Sequence, residues 1–137
     1  SDVILFERGS QLMGRSSYTN QARVHSGYHY PRSFTTGYRS RVNSPRFLDA
    51  YAAAIKSDFL PVYALARRNS KITGPQFERF CREIGAPLSP APREVARLFN
   101  PALISNVYTA EEQAFDAVVL RRLAADAFGV PARDDNL

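Results

Sequence analysis

The chain has 137 residues, 45% hydrophobic and 23% charged, with a formal net charge of +5. That mix fits a folded domain of ordinary size, or a piece of something larger, and argues against wholesale disorder. No apolar run approaches the ~20 residues of a membrane helix. The single cysteine, Cys81, excludes an internal disulfide framework, and two histidines argue against a histidine-rich metal centre.

The opening run Val3-Ile4-Leu5-Phe6, closed by Glu7, predicts a buried strand of a mostly parallel sheet. With Asp2 and Glu7 flanking it, the run is too short for a secretory h-region, so a soluble, cytoplasmic protein is expected. Residues 9–19 read as a Ser/Gly-rich loop, and 20–33 as extended chain with turns. Ser44-Pro45 has the form of an N-cap and first helical position, which predicts a helix over 45–57. A strand over 59–67 follows, then a helix from Thr73-Gly74-Pro75 whose apolar face is Phe77, Phe80, Cys81 and Ile84, with Gly85 as its stop. The Pro-rich stretch 86–92 reads as loop, 93–99 as a short helix and 103–108 as a strand. A last helix is expected over 111–128, stopped by Gly129 and Pro131. A boundary is placed near Asn43.

The charge is one-sided. Seven arginines and no acid lie between Arg8 and Leu48. A field of this kind meets an anion, whether phosphate, carboxylate or nucleic acid.

Two features carry chemistry. Glu7 follows an apolar strand, the place where a dinucleotide-binding unit puts the carboxylate that accepts hydrogen bonds from a ribose. The run GRSSYTNQARVHSGYHYPRS, residues 14–33, combines small hydroxyl residues, an Asn-Gln pair and two histidines among tyrosines. This run resembles the D-amino-acid-oxidase-like family of FAD-dependent oxidoreductases, nearest to its 2-hydroxyglutarate-dehydrogenase-like members. There an acid-terminated second strand is followed by G-x-S-x-x-N and a run like V-H-S-G-x-x-Y. Gly14, Ser16 or Ser17, Asn20, Val24-His25-Ser26-Gly27 and Tyr30 stand at matching places. The resemblance is strong over 2–33 and loose over 44–131.

The resemblance implies an α/β (α+β) fold class. A partial FAD/NAD(P)-binding Rossmann-like segment would occupy 1–43, and part of a mixed α+β substrate (cap) domain 44–137. It implies FAD as cofactor and a small, anionic substrate oxidised at a C–H bond next to an amine or hydroxyl. Glu7 would take the adenosine ribose, with Arg8 beside the adenine. Ser16 and Ser17 would face the pyrophosphate. Asn20, Gln21, Ala22 and Arg23 would run along the flavin edge. His25 would accept the substrate proton as hydride leaves, and Tyr28, Tyr30 and Arg32, with His29, would shape the substrate pocket. The family's N-terminal strand and G-x-G-x-x-G loop, and the segment that completes its flavin domain, are not in this sequence. The chain is therefore expected to be a portion of a longer protein, marginally stable or self-associating through an unpaired sheet edge, and inactive alone.

The residues taken by themselves leave other readings open. Arg23 can pair with a carboxylate from the part of the protein missing here, His25 can be a hydrogen-bonded structural histidine, Tyr28 and Tyr30 can be packing residues, and Cys81 reads as core. A competing function is a non-enzymatic module for single-stranded nucleic acid, built on Tyr18, Arg23, His25, Tyr28, His29, Tyr30, Arg32, Phe34, Tyr38 and Arg39.

Overall fold

The computed structural model describes Ile4 and residues 6–129. The fold is mixed α+β, with two small three-stranded sheets and four α-helices among the described residues. The first sheet has the order β1-β6-β2, from β1 (Arg23–Val24), β2 (Ile55–Lys56) and β6 (Gln113–Phe115). The second has the order β3-β5-β4, from β3 (Val62–Ala66), β4 (Leu88–Pro90) and β5 (Ile104–Ala110). Every pairing among the described residues is antiparallel, which corrects the expected mostly parallel sheet.

Ile4 and Phe6 belong to no strand and are 77% and 91% exposed; Val3 and Leu5 of the same predicted strand lie outside the described residues. An apolar run becomes a buried strand only beside a ladder partner, and no described strand pairs with this one.

Helix α1 (Phe34–Ala50) starts well before the predicted 45–57 and carries Pro45 inside it. Proline lacks the N–H that would bond the Arg41 carbonyl. The Ser44 hydroxyl donates to that carbonyl instead, at 3.1 Å, so the pair that looked like a helix start is an interior repair. The helix ends at Ala50, and a single 3-10 turn (Ala52–Ala54) leads into β2. Position 43 therefore falls within a continuous helix.

Helix α2 (Gly74–Glu83) forms as expected. The Thr73 hydroxyl and Gln76 side chain make a reciprocal capping box, and Gly85 sits at φ +69° beyond the helix end. Its apolar face meets Tyr28 and Tyr108 in the main core, which also holds Phe77, Phe80, Cys81 and Ile84. Cys81 is fully buried, and burial pushes its thiol up to about 12. The residues between Ala86 and Pro92 are not all loop, since β4 pairs with β5 there. It is an edge strand, the position where a sheet tolerates proline. After the short helix α3 (Arg93–Ala96) and β5, the predicted helix over 111–128 divides into β6 and α4 (Ala117–Ala127). Asp116 caps α4, accepting from the amides of Val118 and Val119 at 3.0 and 3.1 Å. No described helix is long and apolar enough to cross a membrane.

Two glycines set how closely β1, α1 and α2 approach. Gly27 has φ +100°, and a Cβ there would lie 2.6 Å from the Gly37 carbonyl oxygen. A Cβ on Gly37 would lie 2.5 Å from the Phe80 ring. The turn after β1 is thereby held directly on α1, and α1 on the core.

Candidate functional site

The site grows from a bend. The Asn20 side chain accepts from the Ala22 amide at 2.6 Å and donates to the Ser17 carbonyl at 3.0 Å. Ala22 itself lies at φ +51°, an uncommon conformation for a residue with a side chain. Its carbonyl accepts from Phe115 at 2.8 Å, which starts the β1–β6 ladder. Asn20 and Ala22 therefore shape the backbone that delivers Arg23 and His25.

Glu112, just before β6, is the hub beneath that strand. It is 4% exposed. Its carboxylate pairs with the Arg23 guanidinium and accepts from the Tyr63 hydroxyl at 2.8 Å and the Ser26 amide at 3.2 Å. Arg23 also donates to the Tyr63 hydroxyl at 2.8 Å and lies over its ring. Tyr63 is held far above the usual phenol range, first by burial and then by the Glu112 charge and hydrogen bond. The carboxylate that pairs with Arg23 is thus in this chain and not in a missing part, which corrects the expectation, and nothing in the sequence singled out Glu112. The pairing of β6 with β1 is what brings it beside Arg23.

His25 and His29 sit edge to face, with ring centroids 4.6 Å apart, and His29 also lies against Tyr63 at 5.6 Å. His25 Nδ1 and His29 Nε2 are buried and have no hydrogen-bond partner. The pKa of His29 is lowered, mainly by desolvation, then by the charges of Arg23 and His25 and against the opposing pull of Glu112. A lowered value means that the unfolded chain takes up the proton first. The stability contributed by neutral His29 is present above its ordinary value of 6.5 and is lost as pH falls through the folded value. The urea midpoint should therefore drop between neutral pH and about pH 5, and His29→Gln should flatten that slope. An unchanged slope in the variant would assign the pH dependence to other groups.

A cleft of about 470 Å3 lies between β1 and α1. Arg23 and His25 line it from one side, and Thr35, Thr36, Arg39 and Ser40 from the other. Its size is within the range of small-molecule sites. The hydroxyls of Thr35, Thr36 and Ser40 are ones that sequence reasoning missed, because the helix was expected to begin after them; Arg39 was named there only for the nucleic-acid reading.

The other predicted site residues disperse. Glu7, Arg8, Ser16, Ser17 and Gln21 are exposed, and the Glu7 carboxylate accepts from the Gly9 amide at 2.6 Å. They do not line the Arg23–His25 cleft. Tyr28, placed at the substrate by the resemblance and open to a packing role on its own, is a core residue, 1% exposed. Its hydroxyl donates to the Pro87 carbonyl and accepts from the Glu111 amide at 3.2 Å, so both of its polar functions are used in joining segments. Tyr30 and Arg32 line a separate cleft with His29. Among the described residues no group of three or more His, Cys, Asp or Glu side chains is placed to hold a metal ion.

No family model, curated protein or solved structure matches this chain.

Proposed function

We propose that the chain belongs to an FAD-dependent oxidoreductase acting on a C–H bond next to an amine or hydroxyl of a small anionic substrate. The observation that carries this reading is the cleft in which Arg23 and His25, both from the flavin-facing run of the resembled family, meet Arg39 and the α1 hydroxyls. The fit is chemical. His25 has a buried ring nitrogen with no protein partner, Thr35, Thr36 and Ser40 offer hydroxyls, and Arg39 offers a cation. The finer fold reading, a flavin-contacting segment of a Rossmann-like domain followed by a cap, belongs to the same proposal. So do the roles of Glu7, Arg8, Ser16, Ser17 and Gln21 on the nucleotide side.

FAD, when bound, supplies the two-electron acceptor for a hydride from the substrate carbon. His25 takes the proton released from the substrate hydroxyl or amine. Arg39 orients the anionic group of the substrate. Glu112 and Tyr63 fix Arg23, so that its charge stays in place beside the cleft as negative charge develops.

The test is spectroscopic. The purified product of the gene that encodes this chain should carry flavin absorbance. His25→Gln should retain that absorbance while turnover falls by about a hundredfold or more, the scale of a lost general base. A colourless product that takes up no FAD would overturn the reading.

A further inference from the structure

A second cleft, of about 400 Å3, lies where the chain enters α1. Its polar lining comes from His29, Tyr30, Arg32, Ser33 and Lys71, none of which lines the His25 cleft. Arg32 and Lys71 are brought together from two separate segments, and no aspartate or glutamate lines the cleft. Among the described residues the ion pairs are Arg23–Glu112 and Arg79–Glu83, so both of these cations lack a carboxylate. Two like charges in one cleft repel unless an anion joins them.

The start of α1 adds to the same field. Ser33 is its N-cap residue, but the Ser33 hydroxyl bonds the Thr36 hydroxyl at 2.8 Å and caps no backbone amide. The first turn of this 17-residue helix contains no acid. Its leading amides thus have neither a side-chain cap nor a nearby negative charge, the condition under which a helix start attracts an anion. His29 lines the same cleft.

We infer that this cleft is a phosphate site, taking inorganic phosphate or the phosphate end of a small monoester. The choice of phosphate follows from the donors. A carboxylate has two oxygens, which a single arginine fork satisfies. A guanidinium and a helix start from one segment and an ammonium from a second match a tetrahedral dianion with three terminal oxygens. The inference goes beyond the flavin reading: it takes Tyr30 and Arg32 away from the substrate pocket expected for them and uses no residue of the His25 cleft.

The experiment is an amide-resolved NMR titration of the full chain with inorganic phosphate, at neutral pH and constant ionic strength. Phenyl phosphate, acetate and a short oligothymidylate are titrated in parallel. Phosphate and phenyl phosphate should give saturable shifts at residues 32–36 and 71–72. Arg32→Ala and Lys71→Ala should each weaken Kd by about tenfold, the loss of one charge-assisted hydrogen bond, and the double variant should abolish saturation. Both side chains are exposed, so the remaining amide spectrum should stay as in the parent chain, and Lys71→Glu provides a second loss-of-charge variant. Several results would overturn the inference. These are no saturation, equal affinity in the variants, acetate binding as tightly as phosphate, or oligothymidylate binding more tightly than phenyl phosphate with a steep salt dependence. Flavin absorbance reads neither residue, so this inference and the flavin reading fail independently.

Discussion

Glu112→Ala should destabilise the folded chain by about 3 kcal/mol, the low end for one partner removed from a buried ion pair. The Arg23 guanidinium, the Tyr63 hydroxyl and the Ser26 amide would all lose their acceptor. The low end applies because the Arg23 side chain remains 27% exposed and can recover some hydration. Glu112→Gln keeps the volume and one acceptor but not the charge, and should fall between wild type and Glu112→Ala. Arg23→Ala combined with Glu112→Ala should be less destabilising than the sum of the two, because the second change removes the charge that the first left unpaired. Urea denaturation of the four chains measures this cycle. Additive effects would show that the pair is not the structural unit described here.

Gly27→Ala should be at least as damaging, at about 3 kcal/mol or more. Two costs combine. A side chain at φ +100° is strained in itself. The added Cβ would also press on the Gly37 carbonyl at 2.6 Å and on Ile84 at 2.7 Å. One neighbour is helix backbone and the other is core, so neither can yield without moving α1 from α2. Gly37→Ala should cost less: the Phe80 ring must shift, while alanine improves helix propensity by about 1 kcal/mol. Thermal unfolding monitored by circular dichroism ranks the two variants. A harmless Gly27→Ala would mean that β1 and α1 can separate without loss of the core.

How much of this was legible in the sequence depended on whether the deciding signal was local. Helix α2 was, because Thr73, Pro75 and Gln76 mark its start and the apolar spacing marks its face. The strand over 62–66 was legible for the same reason. Helix α1 was misplaced because Ser44-Pro45 imitates a start, and only the Ser44 bond to the Arg41 carbonyl shows how the helix tolerates it. Residues 113–115 were absorbed into a helical period that properly begins after Asp116, whose carboxylate caps α4. That error concealed Glu112, since an acid on a helix reads as solvated. The candidate site divided in the same way. Arg23 and His25 reach a common cleft, and Tyr30 and Arg32 reach another. Tyr28 was drawn into the core by hydrogen bonds to Pro87 and Glu111, partners far along the chain that no local pattern reveals.

The central place of β6 between β1 and β2 has a consequence for biosynthesis. Arg23 and the carboxylate that fixes it are 89 positions apart, and Val24 finds its ladder partner in Gln113. As the chain leaves the ribosome, β1 must wait, without its ladder partner, until the described elements from α1 to β5 and then β6 have emerged. The α2–β5 core can gather first. The β1 strand beside the His25 cleft then closes after that core, and a nascent chain halted before Glu112 would present Arg23 without the carboxylate that pairs with it.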